Sequence, residues 1–194
     1  MIQSVDPHQQ KSALRAQARA SRRLLYVARA GESLADMGDR LPVMPEGIVA
    51  GYWPMGHEID PRPLLERLQA AGWRVALPEV VAKDYPLLFR HWRTGDESGL
   101  VAGPHGTRHP GPDAPVVEPD LVLVPLLAFD NRLYRLGYGG GYYDRTLESL
   151  RSRRQIKAIG LAFAGQQVDA VPHDDNDQRL DGVLTEKGLI LPEV

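Results

Sequence analysis

Short apolar runs alternate with amphipathic segments along most of this chain. Runs of this length, bounded by Gly, Pro or charged residues, are typical of buried strands. They occur at residues 48–53, 74–77, 87–92, 121–124, 156–163, 183–185 and 189–191. Helical spacing of the apolar positions appears between them, at residues 63–71 and 146–151. Strands that alternate with helices predict an α/β fold with a largely parallel sheet, in which residues 121–124 form the central strand.

The N-terminal segment predicts two helices before the first strand. In the first, Asp6 is suited to the N-cap, Pro7 to the first helical position and Gln9 to a capping box. Gly31 is the predicted stop, and a second helix is predicted at residues 32–41. One face of the first helix is basic, with spacings of three or four residues, and by itself this pattern indicates a solvated face. Its members are Lys11, Arg15, Ala18, Arg19 and Arg22.

A long connection rich in Pro and Gly separates the two halves of the chain. Residues 99–119 show little periodicity, which predicts a surface loop, a flap over a site being one possibility, and not a domain boundary. The length of 194 residues and a hydrophobic content of 43% are suited to one domain, residues 1–194, with a substantial core.

Composition and charge exclude several classes of function. A net charge of −2 argues against a nucleic-acid or membrane-surface partner. The chain has no Cys, which removes disulfides, thiolate nucleophiles and Cys-based metal sites and is compatible with a cytoplasmic location. The N-terminus lacks the basic-then-apolar pattern of a secretion signal, and no apolar run reaches the length of a membrane span.

The most informative segment is the glycine-rich stretch at residues 135–145, RLGYGGGYYDR. A strand, a glycine-rich turn and a helix N-terminus can present backbone N–H groups to a phosphate. The segment does not match a P-loop, which needs Lys and a hydroxyl residue after its last Gly, because Tyr142 and Tyr143 stand there. Tyr142 also replaces the last Gly of a dinucleotide-binding loop. A glycine-rich hairpin without a ligand is the alternative, and the flanking Arg, Tyr and Asp residues argue against it.

Together, several motifs resemble those of the 5-formyltetrahydrofolate cyclo-ligases, also called 5,10-methenyltetrahydrofolate synthetases. The first is residues 121–130, LVLVPLLAFD, followed by the glycine-rich stretch. Lys11-x-x-Leu-Arg15, Tyr52-x-Pro54 with Glu58 and Asp60, and residues 72–78 agree in order. So do Gln166, Pro172, Asp177 and residues 184–186, so that the resemblance spans nearly the whole chain. His109 stands where the family commonly has Glu, and Gly140 where some members have Lys.

The resemblance implies a fold and a reaction. The fold is a single-domain, three-layer α/β sandwich similar to the NagB/RpiA/CoA-transferase-like fold. The reaction is the conversion of 5-formyltetrahydrofolate to 5,10-methenyltetrahydrofolate with Mg²⁺ and ATP, releasing ADP and phosphate. ATP phosphorylates the formyl oxygen, and N10 of the folate then closes the ring, so positioning and charge neutralisation are the work of the protein. The implied protein is a monomer whose partners are ATP and the folate.

The resemblance also implies roles for individual residues. Arg135 and Arg145 neutralise phosphate charge during catalysis, and Asp144 and Asp177 hold Mg²⁺. ATP is bound by Lys11, Ser12, Ala13, Leu14, Arg15, Arg135, Leu136, Gly137, Tyr138, Gly139, Gly140, Gly141, Tyr142 and Tyr143. The folate is bound by Trp53, Glu58, Tyr138, Gly139, Gly140, Gly141 and Tyr142.

Taken singly, four of these residues have other interpretations. Trp53 ends an apolar strand and suits the core. Glu58 suits an exposed surface, Asp144 a helix N-cap and Asp177 a solvated acidic loop. Two other functions also stay open at this stage. One is a paralogue that binds a nucleotide but acts on another substrate, and the other is a nucleic-acid module built on the basic helix.

Overall fold

A seven-stranded sheet forms the centre of the protein. The computed structural model describes residues 7–26, 30–41 and 47–192. Its helices are α1 (Pro7–Leu25), α2 (Ala30–Ala35), α3 (Arg62–Ala70) and α4 (Tyr142–Arg151). Its strands are β1 (Ile48–Ala50), β2 (Arg74–Glu79), β3 (Leu88–Trp92), β4 (Leu100–Ala102), β5 (Arg108–Pro110), β6 (Leu121–Pro125), β7 (Ala128–Phe129), β8 (Arg135–Leu136), β9 (Lys157–Leu161), β10 (Gly182–Thr185) and β11 (Gly188–Ile190).

The strand order of the sheet is β11-β10-β9-β6-β1-β2-β3. The five inner strands are parallel, and β3 and β11 pair antiparallel at the two edges. The strand β6 is the middle strand and is buried on both faces, as its apolar run predicts. The mostly parallel sheet and its central strand are therefore confirmed.

Helices cover both faces of this sheet. Along β6, Leu121 and Leu123 point to the face covered by α2 and α3, whereas Val122 and Val124 point to the face covered by α4. Successive side chains of a strand alternate between faces, so one strand contributes to both cores. The predicted three-layer arrangement is confirmed.

The N-terminal predictions are only partly correct. The predicted N-cap Asp6 and the side chain of Gln9 lie outside the described part of the chain. Gly31 does not end the first helix, because it lies inside α2. A Cβ atom at Gly31 would lie 2.3 Å from the backbone oxygen of Asp60, so this Gly allows α2 to pack closely on the loop after β1. The predicted second helix is shorter than expected and continues as a 3₁₀ turn at Gly38–Arg40.

Two further expectations differ from the structure. Pro78 does not stop β2, because it pairs with Phe89 of β3. It lies beyond Ala76, the last β2 residue that pairs with β1, so its missing N–H removes no hydrogen bond to β1. The connection at residues 99–119 is not irregular, because it contains the antiparallel hairpin of β4 and β5. Strands of three residues leave too little alternation for the sequence to reveal them.

A small hairpin stands between the central strand and the glycine-rich loop. The strands β7 and β8 pair antiparallel, so the strand that leads directly into the loop is β8 and not β6. The apolar residues of this hairpin pack against Leu14 and Ala18 of α1. The first helix is thereby placed beside the glycine-rich loop at the carboxyl end of the sheet.

The turn of this hairpin is organised by a buried carboxylate. Asp130 is 0% exposed and accepts hydrogen bonds from the backbone N–H groups of Arg132 (3.0 Å), Tyr134 (3.1 Å) and Val171 (3.0 Å). Within the turn, Leu133 is fully buried with a φ of 65°, a left-handed conformation unfavourable for Leu. The carboxylate therefore helps to offset local strain immediately before the glycine-rich loop.

We expect Asp130→Ala to lower the free energy of unfolding by about 3–5 kcal/mol, because buried N–H groups lose their acceptor. Urea titration measures the loss. Asp113→Ala, at an exposed position, is the control that removes the same charge. A difference of less than about 1 kcal/mol between the two variants would contradict this role for Asp130.

Candidate active site

The glycine-rich loop runs from β8 to the N-terminus of α4. Gly141 precedes the helix with a φ of 66°, and α4 begins at Tyr142, four residues earlier than predicted. Asp144 therefore lies in the first turn of the helix and is not its N-cap. The backbone N–H groups of this first turn have no intrahelical acceptor, which is the arrangement expected at a phosphate site.

Two arginines approach the loop closely. Arg15 of α1 donates from Nε to the carbonyl oxygen of Gly137 (3.0 Å), and Arg145 of α4 donates to that of Gly140 (2.7 Å). A Cβ at Gly139 would lie 3.3 Å from Cζ of Arg15, and one at Gly141 would lie 2.5 Å from a nitrogen of Arg145. The glycines are thus needed for the guanidinium groups as well as for the turn.

Two buried guanidinium nitrogens beside the loop lack hydrogen-bond partners. Within the described residues they are Nε of Arg145 and Nε of Arg22. An unpaired buried N–H is unfavourable, and such groups are usually satisfied by a protein, water or ligand acceptor. Both arginines therefore have donor capacity for an anion or a polar ligand.

Arg135 and Asp144 form an ion pair beneath the loop. Nη2 of Arg135 lies 2.6 Å from Oδ1 of Asp144, which also accepts the backbone N–H of Gln178 (3.1 Å). Arg135 additionally donates to the carbonyl oxygen of Gln178. These bonds attach the C-terminal loop that carries Asp177 to the start of α4.

Lys11 binds the same C-terminal loop from α1. Its Nζ lies 2.6 Å from Asp177 and 3.2 Å from Asp174, and the side chain is buried. Burial lowers the pKa of Lys11, but the hydrogen bonds to the two carboxylates outweigh burial and the net pKa is raised. Backbone and Lys11 hydrogen bonds lower the pKa of Asp174. Asp177 is therefore a half-buried partner of Lys11 and not only part of a solvated acidic loop.

Glu58 is buried beside the glycine-rich loop, with 3% exposure, so the surface interpretation was wrong. The hydroxyl of Tyr138 donates to its Oε1, and the backbone N–H of Met55 donates to its Oε2 (2.7 Å). Burial raises the pKa of Glu58, opposed by these hydrogen bonds and by the charge of Arg22. Burial and Glu58 raise the pKa of Tyr138, which keeps its hydroxyl protonated as a donor. The loop after β1 and the glycine-rich loop thus meet through Glu58 and Tyr138.

Trp53 has different neighbours. Its ring lies 4.8 Å from Cζ of Arg62 and 5.0 Å from Cζ of Arg108, and it meets Trp92 edge-on at 6.3 Å. It is half-buried against the core, as the core interpretation expects, and its contacts are with α3, β5 and β3. A role in folate binding stays a prediction.

The other predicted ligands are divided between the core and the surface. Ser12, Ala13, Gly139 and Gly140 are exposed, whereas Leu14 and Leu136 pack in the apolar cluster under the loop. Tyr142 lies under the guanidinium of Arg145, 5.2 Å from its Cζ. Tyr143 packs against the core on the α4 side. Leu14 and Leu136 thus support the loop with their side chains.

Sequence reasoning missed Arg22 and undervalued Asp130. Arg22 was assigned to a solvated face, yet it is 7% exposed and its guanidinium donates to the hydroxyl of Tyr138. The spacing of Lys11, Ala18 and Arg22 was the available signal, because these three residues share the buried face of α1. Asp130 was recognised only as part of a motif.

The carboxylates of this region are compatible with a hard cation. Among the described residues, no group of three or more His, Cys, Asp or Glu side chains could hold a metal ion by itself. Asp144 and Asp177 supply oxygen donors from two neighbouring segments, which fits Mg²⁺ that keeps phosphate and water ligands.

None of the helices in the described ranges combines the length and apolar character needed to cross a bilayer.

The sequence matches the profile of one known family and the sequences of proteins that bear its name. The profile of the 5-formyltetrahydrofolate cyclo-ligase family matches residues 7–186. The chain is 35% identical over 147 residues to the 5-formyltetrahydrofolate cyclo-ligase of Mycolicibacterium smegmatis, covering 72% of this chain and 73% of that protein. It is also 35% identical over 153 residues to the Escherichia coli enzyme of that name, covering 74% and 80%.

Solved structures agree with these sequence similarities. The NMR structure of Aquifex aeolicus 5,10-methenyltetrahydrofolate synthetase superposes with a TM-score of 0.75 at 27% identity, covering 95% of this chain and 93% of that one. The corresponding synthetase from Mycoplasma pneumoniae gives 0.69 at 26% identity, covering 91% and 98%. Family profile, relatives and fold lead to one conclusion: the chain belongs to the 5-formyltetrahydrofolate cyclo-ligase family.

Proposed function

We propose that this protein converts 5-formyltetrahydrofolate to 5,10-methenyltetrahydrofolate at the expense of ATP. One observation carries the proposal beyond family membership. The loop that suits a triphosphate, with Arg15 and Arg145 at its carbonyls, also carries the hydroxyl that hydrogen-bonds the buried Glu58. A single loop can therefore hold the nucleotide on one side and the folate on the other.

The chemistry requires such proximity. The formyl oxygen attacks the γ-phosphorus of ATP, an O–P bond forms, and the bond to the β-phosphate oxygen breaks with release of ADP. N10 then attacks the activated carbon, a C–N bond forms, N10 loses its proton, and phosphate leaves with the former formyl oxygen. No protein nucleophile takes part, so the residues position the two substrates and neutralise charge.

The nucleotide half of the site is formed by α1, the loop and the start of α4. The segment Lys11, Ser12, Ala13, Leu14 and Arg15 and the segment 135–143 bind ATP. Arg135 and Arg145 neutralise charge on the transferred phosphoryl group, and the unpaired Nε of Arg145 supports this assignment. Asp144 and Asp177 hold Mg²⁺, which neutralises phosphate charge when bound. In the structure these two carboxylates pair with Arg135 and Lys11, which would be the nearest cations to the phosphate oxygens of a bound nucleotide.

The folate half of the site is formed by the loop after β1 and by residues 138–142. A carboxylate can accept two N–H bonds from a pterin edge, and Glu58 keeps unused lone pairs beside Tyr138 and Met55. Trp53 contributes an aromatic surface to the folate half when Arg62 or Arg108 moves away from its ring.

We further propose that the protein acts as a cytoplasmic monomer.

We expect the purified protein to form the methenyl chromophore in the near ultraviolet when given 5-formyltetrahydrofolate and Mg-ATP. The reaction should release one ADP per methenyl group formed. Omission of ATP is the matched control, because spontaneous ring closure does not need it. Folded protein that forms no chromophore above this control would overturn the proposed function.

A further inference from the structure

Arg22 lies between the two halves of the proposed site. Its guanidinium donates to the hydroxyl of Tyr138 and to the carbonyl oxygen of Leu126 (3.4 Å), and Nη1 lies 3.9 Å from Oε1 of Glu58. The Tyr138 hydroxyl accepts from Arg22 and donates to Glu58, so the three polar groups form one continuous chain.

Burial makes this chain energetically important. The side chain of Arg22 is 9% exposed and that of Glu58 is 2% exposed. A buried carboxylate that loses its cationic partner is strongly unfavourable as an ion and takes up a proton instead. Together with the hydrogen bonds from Tyr138 and Met55, the charge of Arg22 therefore favours the carboxylate form of Glu58.

The position of Tyr138 depends on Arg22 as well. Cζ of Arg22 lies 5.5 Å from the centroid of the Tyr138 ring, while the ring packs in the apolar cluster under the glycine-rich loop. A cation near an aromatic face adds attraction to the hydrogen bond. One arginine from α1 thus contacts the hydroxyl and the ring of the residue shared by both halves.

We propose that Arg22 is a positioning residue for the folate half of the site, holding Tyr138 in place and Glu58 as a carboxylate that accepts the N–H groups of the pterin. This inference rests on the proposed function. It assigns Arg22 a role in folate recognition and not in phosphoryl transfer. Its absence should therefore affect the Michaelis constant for the folate more than that for ATP.

We expect Arg22→Gln to raise KM for 5-formyltetrahydrofolate by about 10- to 100-fold at pH 6.5, the effect of losing hydrogen bonds to a charged group. KM for ATP should change by less than about threefold, since Lys11 and Arg15 stay in place. Arg23→Gln is the matched control, because Arg23 is the next residue of the same helix and is exposed.

The dependence on pH separates this role from a merely structural one. Burial already raises the pKa of Glu58, and loss of the Arg22 charge raises it further, so Glu58 is protonated to a greater extent in Arg22→Gln than in wild type and regains its charge as the pH increases. The ratio of the folate KM of Arg22→Gln to that of wild type should therefore fall when the pH of the assay is raised from 6.5 to 8.5.

The other groups that face Glu58 do not reproduce this trend. Burial raises the pKa of the Tyr52, Tyr138 and Tyr143 hydroxyls, which stay neutral over this range. His57 lies on the same loop in wild type and in every variant, so it does not distinguish them. Arg22→Lys retains the charge and should keep the pH profile of wild type.

Each outcome decides the proposal. Equal rises in KM for folate and ATP, or a folate KM within twofold of Arg23→Gln at every pH, would overturn it. If Arg22→Gln does not fold, Tyr138→Phe decides, because loss of the hydroxyl should also raise the folate KM more than the ATP KM. Wild-type turnover tests the proposed function separately: an inactive wild type overturns both, and a normal Arg22→Gln in an active enzyme overturns only the role of Arg22.

Discussion

Replacing Arg145 with Gln is expected to lower kcat by about 10²- to 10³-fold. Arg145 stands at the first turn of α4 with a buried Nε–H that has no partner, and its other contacts are the Gly140 carbonyl and the ring of Tyr142. Removal of one preorganised donor to a developing negative charge typically costs this much. The charge on the transferred phosphoryl group is the acceptor that the proposed function supplies.

Stability should respond differently from activity. Arg145 makes no ion pair within the described residues, and loss of an unsatisfied buried N–H offsets loss of the bond to Gly140. The free energy of unfolding of Arg145→Gln should therefore lie within about 1 kcal/mol of wild type, measured by urea titration.

Arg153→Gln is the control for Arg145→Gln. Arg153 follows α4, is exposed, and pairs with Glu118 on the surface, so its loss should leave kcat unchanged. A higher KM for ATP with unchanged kcat would instead show that Arg145 contributes only uniform binding. Unchanged kinetics would remove Arg145 from the site.

Asp144→Asn is expected to reduce kcat/KM for ATP by about 10³-fold. A carboxylate that holds Mg²⁺ on the phosphates contributes several kcal/mol of transition-state stabilisation, and about 4 kcal/mol corresponds to this factor. Asn keeps one oxygen for Arg135 and for the N–H of Gln178, so the fold should survive the loss of charge. Kinetics at increasing Mg²⁺ should show a higher metal requirement in the variant.

Ligand binding gives a second measurement on Asp144→Asn. Mg-ADP at about 100 times its Kd should stabilise wild type by about 2.7 kcal/mol, and the variant much less. Glu148→Gln is the control, because Glu148 lies one turn further along α4 and is exposed. If Asp144→Asn turned over at the wild-type rate and responded to Mg²⁺ as wild type does, the metal role of Asp144 would be contradicted.

Much of the fold was predictable because burial leaves a strong local record. The strand β6 is buried on both faces, so it appears in the sequence as an uninterrupted apolar run closed by Pro125. The hairpin of β4 and β5 was not predictable, because three-residue strands carry no periodicity and their pairing is decided by distant contacts. Gly31 was misassigned because its close approach to Asp60 is not a local property.

The candidate site divides in the same way. The sequence by itself identified the glycine-rich loop, because the run of glycines is a local feature. These glycines lack the Cβ atoms that would block the close approach of Arg15 and Arg145. Only the tertiary structure decided which charges are buried and what they contact. Two of these contacts join residues that are distant in sequence: the pairing of Lys11 with Asp177, and the chain from Arg22 through Tyr138 to Glu58. The third, between Arg135 and Asp144, spans the glycine-rich loop. Burial and pairing set the pKa and the donor capacity of such groups, so their chemistry became apparent only in the folded chain.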